Sequence, residues 1–260
     1  MPGAPTVDAR ERRALWWEIS LVLLVTLGLS GLRSLVSLLD SLAAPVPLAQ
    51  QTVAINVPQA RAGYLDLVGQ LLSVLRLLAW GALGTYLLWR GSVGSPALAL
   101  RTIGLDRTRP ARDVVQGAGL AALVGIPGLG LYLVSRALGL NLTVAPSTLG
   151  GAWWTVPVLV LAAFANAWAE EALVIAYLLT RLRQLGWTEN SSLLASALLR
   201  GSYHLYQGFG GFVGNVVLGL VFGRVWQRNT RLWPLVLAHG LIDVVAFVGY
   251  ALLVNRVSWL

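Results

Sequence analysis

The sequence contains no cysteine and no lysine, and only two of its 260 residues are histidine. Disulfide bonds, thiolate catalysis and cysteine-based zinc sites are therefore excluded, and so is a lysine nucleophile. Charge is scarce as well: charged residues make up 12% of the chain, whereas about 25% is usual in soluble domains. Hydrophobic residues account for 57% of the chain. The composition indicates an integral membrane protein.

Long apolar runs predict an all-α, polytopic transmembrane bundle of about seven spans, with a four-helix core in the C-terminal half. The predicted spans are 16–39, 65–89, 114–138, 153–183, 191–206, 212–226 and 232–254. We accordingly divide the chain into a cytoplasmic tail (1–13), N-terminal transmembrane helices (14–150), a C-terminal transmembrane core (151–254) and a short tail (255–260).

The arginines predict the orientation of these spans. If the spans alternate, thirteen arginines fall in loops on the side of the N-terminus, and only Arg61 and Arg256 fall on the other side. Cytoplasmic loops carry such an excess of positive charge. The sequence thus predicts a multi-pass protein of the cell membrane with a cytoplasmic N-terminus. The net charge of +8 is then explained by topology in the lipid bilayer, and we expect no nucleic-acid partner.

Two adjacent carboxylates, Glu170 and Glu171, lie within the fourth predicted span. A charge at the bilayer centre costs about 3 kcal/mol on insertion scales, so such a pair needs a partner, a proton or a water-filled cavity. Asn166 shares a helix face with Glu170, whereas Glu171 should point about 100° away. One interpretation makes one glutamate a general base for water. The alternative is a purely structural charge network with arginines.

Apart from Arg76 on the second predicted span, the remaining candidate partners at membrane depth lie on the later spans. Arg200 and His204 are four residues apart, as are His239 and Asp243, so each pair shares one helix face. The second pair fits a carboxylate that orients an imidazole. Glutamate, two histidines and aspartate could also form a zinc shell, but the sequence has no H-E-x-x-H motif. We therefore expect no cofactor, with zinc as the alternative.

Together these motifs resemble those of the CPBP family, which comprises intramembrane proteases related to the type II CAAX prenyl endopeptidase and to abortive-infection and bacteriocin-immunity proteins. The resemblance covers about residues 153–247. The family motifs are E-E-x-x-x-R, F-x-x-x-H and H-x-x-x-[N/D]. Their matching positions are Glu170 and Glu171, then His204, then His239 and Asp243. Two positions depart from the motifs, because Ile175 replaces the arginine and Arg200 replaces the phenylalanine.

The resemblance implies a glutamate-type intramembrane endopeptidase. Glu170 and His204 would activate a water molecule, and Glu171 would be an auxiliary acid. His239 and Asp243 would help to hold the oxyanion or order the site. The substrate would be a membrane protein or a lipidated peptide.

The two departures suggest an exchange in space. We predict that Arg200 lies within salt-bridge range of Glu170 or Glu171 and so supplies the missing arginine. Ile175 would then pack where the family phenylalanine would lie.

The sequence is compatible with two other functions. The first is a non-catalytic membrane protein on the same fold, for bacteriocin immunity or scaffolding, which the altered arginine position favours. The second is a transporter with a glutamate and histidine proton relay. An evident internal repeat, common in transporters, is not found in the sequence.

Overall fold

The computed structural model describes residues 8–90 and 95–254, so residues 1–7 of the predicted N-terminal tail and the whole predicted tail 255–260 lie outside the described residues. The first half contains α1 (Ala9–Val25), α2 (Leu27–Ala43), α3 (Gly63–Arg90), α4 (Pro96–Thr102) and α5 (Pro110–Ala137). The second half contains α6 (Thr155–Glu170), α7 (Leu178–Gln184), α8 (Glu189–Ser202), α9 (Phe209–Asn229) and α10 (Trp233–Leu253). The predicted all-α bundle is confirmed.

Five helical stretches in the described ranges are long and apolar enough to cross a membrane, or up to six if α1 and α2 form one broken span. The sequence predicted about seven spans, including 191–206. In the structure this segment overlaps α8, which has 14 residues and begins at Glu189. At 1.5 Å per residue, α8 is about 21 Å long, shorter than the ~30 Å hydrocarbon core.

The segment that contains α8 nevertheless runs from one end of the bundle to the other. α8 begins beside the end of α9, where Gln227 Nε2 donates a hydrogen bond to the Glu189 carbonyl at 2.9 Å. A 3₁₀ turn, Leu205–Gln207, extends it to the start of α9. There the Phe209 amide donates to the Leu140 carbonyl, 3.0 Å away, in the loop after α5. The loops therefore alternate between two ends of the bundle as predicted, while the cytoplasmic position of the N-terminus stays a prediction.

The first predicted span is bent. The axes of α1 and α2 differ by 50°, and the Thr26 hydroxyl at the bend donates to the Val22 carbonyl at 2.6 Å. A Cβ atom on Gly28 would lie 2.7 Å from the Leu23 carbonyl oxygen. Because real Cβ atoms do not approach that closely, the bend requires glycine at this position.

One long helix forms the centre of the bundle. α6, a seven-residue π-helix (Glu171–Tyr177) and α7 follow without a break over Thr155–Gln184. Its most apolar window is 67% buried, against 11–33% in the other candidate spans. The other helices therefore surround this one, which we call the central helix, and its side chains face protein rather than lipid.

Small residues allow α3 to approach the central helix closely. Gly81 is buried, and a Cβ atom there would lie 2.3 Å from the Trp168 indole nitrogen. That nitrogen donates to the Leu78 carbonyl at 3.1 Å. Glycine at such a contact permits tight packing between membrane helices.

We expect Gly81→Ala to lower the stability of the protein by about 1–3 kcal/mol, because the added methyl group must displace the Trp168 ring. Gly119→Ala is the matched control, since a Cβ atom on Gly119 would meet no atom within 4 Å. The measurement is thermal unfolding of both variants in the same detergent. An equal or smaller drop in Tm for Gly81→Ala than for Gly119→Ala would contradict the close contact.

A short parallel sheet covers one end of the bundle. β1 (Thr52–Asn56) pairs with β2 (Thr143–Ser147) in parallel, with Thr52 opposite Thr143 and Asn56 opposite Ser147. The sequence predicted only loops over 40–64 and 139–152. The pair lies at the end where α9 begins, because Asn141 forms a bridge with Gly208.

The outward faces of the bundle are apolar. Leu72, Leu123 and Ile126 are 59%, 65% and 73% exposed, and many other large apolar side chains resemble them. Exposed apolar surface on this scale marks an interaction with lipid or with another apolar surface. With five or more apolar helices of spanning length, the protein is a multi-pass membrane protein.

Candidate active site

The polar residues that the sequence singled out lie together between the central helix, α8 and α10. Direct contacts join the three elements, because Glu171 Oε1 lies 2.6 Å from Arg200 Nη2 and 2.8 Å from His239 Nδ1. We call the whole group the polar cluster. It consists of Asn166, Glu170, Glu171, Arg200, His204, His239 and Asp243.

The two glutamates converge because the central helix widens there. The π-helix begins at Glu171, and such wide turns often occur at functional sites. Glu171 Oε1 lies 2.6 Å from Arg200 Nη2, and Glu170 Oε2 lies 3.8 Å from Arg200 Nη1. Both carboxylates thus face the same guanidinium, although they are adjacent in the chain. No feature of the sequence predicted the π-helix.

A serine of α8 supports the π-helix. Ser196 is fully buried, and its hydroxyl donates to the Val174 carbonyl at 2.7 Å. Hydroxyl side chains commonly satisfy the backbone groups that irregular turns leave free in membrane helices. The bond therefore connects α8 to the part of the central helix that orients the glutamates.

We expect Ser196→Ala to cost about 1–3 kcal/mol of stability, because the buried Val174 carbonyl loses its donor. Ser192→Ala is the control: Ser192 is equally buried on the same helix, but its hydroxyl donates to the Glu189 carbonyl within α8. Unfolding of both variants in detergent measures the difference. An equally large drop in Tm for Ser192→Ala would show that the hydrogen bond from Ser196 to the Val174 carbonyl makes no specific contribution to stability.

Arg200 is the centre of the charge network. Its side chain is fully buried, and its guanidinium lies 5.9 Å from the centre of the Phe222 ring. Gly219 leaves room for the arginine, because a Cβ atom there would lie 3.3 Å from Arg200 Cδ. The predicted salt bridge between Arg200 and the glutamates is confirmed. Ile175 is also fully buried, but its equivalence to a family phenylalanine stays a prediction.

Some polar atoms of this network have no hydrogen-bond partner within the described ranges. They are Oε2 of Glu171 and Nε and Nη1 of Arg200, all of them buried. Buried polar atoms normally have partners, so each such exception suggests an unaccounted ligand or water. The unpaired atoms therefore mark the interior of the cluster as a place where a polar group can bind.

Glu170 has a different environment from Glu171. The Tyr203 hydroxyl donates to Glu170 Oε2 at 2.7 Å, while in the described parts of the chain Oε1 has no hydrogen-bond partner. The side chain of Glu170 is 4% exposed and that of Glu171 is 0% exposed. Among the described residues, each glutamate thus has one hydrogen-bonded oxygen and one unpaired oxygen, but the bonded oxygen of Glu170 accepts from a tyrosine hydroxyl, whereas that of Glu171 accepts from Arg200 and His239. Tyr203 was missed as a site residue, although a tyrosine next to His204 at membrane depth is a usable signal.

His204 is held in one tautomer by the backbone. Its Nδ1 lies 3.0 Å from the Arg200 carbonyl, which can only accept, so Nδ1 carries the proton. Nε2 of the neutral ring is then a proton acceptor. The ring lies between the Tyr203 ring, 4.7 Å away, and the Tyr206 ring, 6.4 Å away.

His239 connects two carboxylates. Its Nδ1 lies 2.8 Å from Glu171 Oε1, and its Nε2 lies 3.5 Å from Asp243 Oδ2. The Asn166 amide donates to the same Asp243 oxygen at 3.0 Å. The predicted pairing of His239 with Asp243 is therefore present, with Asn166 as the residue that fixes the aspartate.

The described residues contain no set of side chains arranged as zinc ligands. Within residues 8–90 and 95–254, no three histidine, aspartate or glutamate side chains are arranged to hold one metal ion. The guanidinium of Arg200 instead faces the glutamates, and His239 bonds directly to Glu171.

No curated protein and no solved structure gives a significant match to the chain. A family model does match the segment 152–245, which carries the whole polar cluster. The family is described as type II CAAX prenyl endopeptidase Rce1-like. This match to the C-terminal segment, together with the glutamate pair and the two histidines within it, supports the membership of the chain in the CPBP family of intramembrane proteases.

Proposed function

We propose that the protein is an intramembrane endopeptidase that uses a water molecule activated by Glu170 and His204. The family match supports a protease role in general. The proposed mechanism rests on two hydrogen-bond acceptors without a partner among the described residues, one on Glu170 and one on His204. Glu170 Oε1 has no partner among the described residues, and the bond from His204 Nδ1 to a carbonyl leaves Nε2 as an acceptor.

In the first step, water binds between these two acceptors, and its oxygen attacks the carbonyl carbon of the peptide. One water proton passes to Glu170, while the π electrons of the carbonyl move to its oxygen. The tyrosine bond to Oε2 keeps the other oxygen aimed at the water.

The second step breaks the peptide C–N bond. The oxyanion re-forms the carbonyl, and the proton on Glu170 passes to the leaving nitrogen, so the products are a carboxylic acid and an amine. A donor must stabilise the oxyanion before this step. His239 is suited to donate as an imidazolium, because its Nδ1 donates to Glu171 at 2.8 Å while its Nε2 lies 3.5 Å from Asp243, too far for a strong hydrogen bond, and so stays available to the oxyanion.

Arg200 and Glu171 act as positioning residues in this scheme. The guanidinium balances the charge of Glu171, and Glu171 in turn accepts from His239 Nδ1 at 2.8 Å. Glu171 thereby holds the imidazole that would bind the oxyanion. The auxiliary-acid role of Glu171 remains part of the proposal, as do the roles of His239 and Asp243.

The substrate that we propose is a membrane protein or a lipidated peptide. The scissile bond must reach a cluster that lies among membrane helices, so a soluble protein is a poor candidate. The family description names a CAAX prenyl endopeptidase, and prenylated peptides are therefore the first lipidated substrates to test.

The experiment compares purified protein, Glu170→Gln and His204→Ala after incubation with a membrane proteome, and scores new peptide termini by mass spectrometry. Glu189→Gln is the matched control, because Glu189 is exposed at the start of α8, away from the cluster. We expect new termini with the wild type and this control, and none with the other two variants.

The alternative is a non-catalytic immunity or scaffolding protein on the same fold. Its support is the fully buried ion pair between Arg200 and Glu171, which could serve structure alone. It predicts identical termini with all four proteins when each is folded. That result would overturn the protease proposal.

A further inference from the structure

An arginine-lined cavity of about 490 Å³ lies at the end of the bundle where α5 begins and α9 ends. This is the end that the arginine distribution assigns to the cytoplasm, and it is separate from the polar cluster. Four arginines line the cavity, from the start of α5 and from the chain around the end of α9. They are Arg109, Arg112, Arg228 and Arg231.

Arg231 has carboxylate partners and forms the base of the cavity. It is buried and makes ion pairs with Asp113 and Asp106. Hydrogen bonds from Thr108 and Arg231 hold the pKa of the Asp106 carboxyl well below its usual range. Both carboxylates are therefore committed to Arg231 and are not available to the other arginines.

The other three arginines, Arg109, Arg112 and Arg228, are exposed. In the part of the chain that the structure describes, none of them has a carboxylate partner. The four arginines carry four positive charges, and Asp106 and Asp113 carry two negative ones, so a net charge of +2 remains at the cavity. A cavity with several guanidinium groups and a positive excess is suited to an anion that accepts many hydrogen bonds, above all a phosphate group.

The backbone adds to this preference. α5 begins at Pro110, has 28 residues, and has no side chain that caps its first turn among the described residues. Free amides at such a helix start face a positive end of the helix dipole, which favours a phosphate. The free amides are those of Ala111 and Arg112, because Pro110 has no N–H and the Asp113 amide donates to the Arg109 carbonyl at 2.9 Å, so both contributions act at the same place.

The surroundings of the cavity indicate that the ligand is amphiphilic. Val115 lines the cavity and is 73% exposed, and Val114 is 56% exposed. Further along α5, Leu123 and Ile126 form part of the same exposed apolar surface. A ligand with a phosphate in the cavity could therefore lay an acyl chain along α5.

We propose that this cavity binds the phosphate group of an anionic phospholipid. Basic pockets between transmembrane helices on the cytoplasmic side are typical sites for such headgroups. Free inorganic phosphate has the same chemistry and is the other possible source of the ligand. The proposal does not depend on the protease function.

The test measures binding of short-chain phosphatidylglycerol, short-chain phosphatidylcholine and inorganic phosphate to full-length protein in detergent. Arg112→Gln/Arg228→Gln removes two exposed arginines from the cavity. Arg101→Gln/Arg224→Gln removes two arginines at the same end that do not line it. We expect phosphatidylglycerol affinity to fall about 10- to 30-fold in the first variant and to stay within about twofold in the control, since each arginine near a membrane surface contributes about fivefold.

Inorganic phosphate distinguishes the two sources. Lipid binding that millimolar phosphate does not displace supports a phospholipid headgroup as the ligand. If only inorganic phosphate binds, and the cavity variant loses this binding, the ligand is a free anion and the lipid proposal is overturned. Equal losses in both double variants would overturn the proposal, as would equal affinity for phosphatidylcholine. Thermal unfolding without lipid checks both proteins, and the single variants Arg112→Gln and Arg228→Gln repeat the test if the double variant is unfolded.

Discussion

Replacing Arg200 with phenylalanine is expected to destabilise the protein by about 3–5 kcal/mol, because a buried ion pair loses one partner. The guanidinium is fully buried and lies 2.6 Å from Glu171 and 3.8 Å from Glu170. Without it, two carboxylates share the interior with only the histidines as cationic partners. Reversible unfolding in mixed detergent measures the loss.

The chain also offers a rescue. Arg200→Phe restores the family phenylalanine, and Ile175→Arg restores the family arginine on the central helix. We expect Ile175→Arg alone to destabilise, because a second guanidinium would enter a fully buried position. The double variant should recover at least half of the stability that Arg200→Phe loses. A double variant less stable than either single variant would refute the exchange between positions 175 and 200.

Arg76→Phe is the matched control for the loss of an arginine within a span. Arg76 lies on α3, is exposed, and its guanidinium lies 5.5 Å from the centre of the Trp80 ring. Removal of a charge from such a site leaves no buried carboxylate unpaired. We therefore expect a change of less than about 1 kcal/mol, typical of surface substitutions.

The second large effect concerns catalysis. Glu170→Gln should lower kcat/KM by about 10²- to 10⁴-fold, the usual contribution of a general base. Glutamine retains an oxygen that can accept from the Tyr203 hydroxyl, so the fold should persist. His204→Ala should give a loss of similar size. The measurement uses a peptide chosen from the cleaved termini, with Glu189→Gln as the control.

The combined variant tests whether the two residues act as one unit. If Glu170 and His204 activate the same water, Glu170→Gln/His204→Ala should be little worse than either single variant. Additive losses would indicate two separate roles. Full activity of Glu170→Gln, with an unchanged Tm, would remove Glu170 from the catalytic scheme.

The residues of the polar cluster could be predicted from the sequence because a charged side chain is energetically unfavourable within a membrane span. Each charged group in a span needs a partner, and the few candidates in the C-terminal half had to meet one another. The contact between Arg200 and Glu171 followed from the two departures in the motifs. The catalytic roles of these residues remain predictions.

The local geometry could not be predicted in the same way. The π-helix is supported by Ser196 of another helix, whose hydroxyl donates to the Val174 carbonyl. No local sequence pattern within 171–177 predicts it. The pairing of β1 with β2 depends on three intervening helices that bring Asn56 to Ser147. The bend at Thr26 lies within an unbroken apolar run, so hydropathy alone predicted one span.

The buried ion pair has a consequence for how the protein enters the membrane. α8 is short and carries Arg200 in its last turn, and an arginine within a membrane-spanning segment opposes insertion by up to about 2.5–3.5 kcal/mol. The central helix carries the opposing glutamates. The two segments therefore favour insertion as a paired hairpin, in which the charges neutralise each other before either helix meets lipid. A nascent chain that ends before α8 would leave both glutamates without the Arg200 guanidinium that pairs with them in the folded protein.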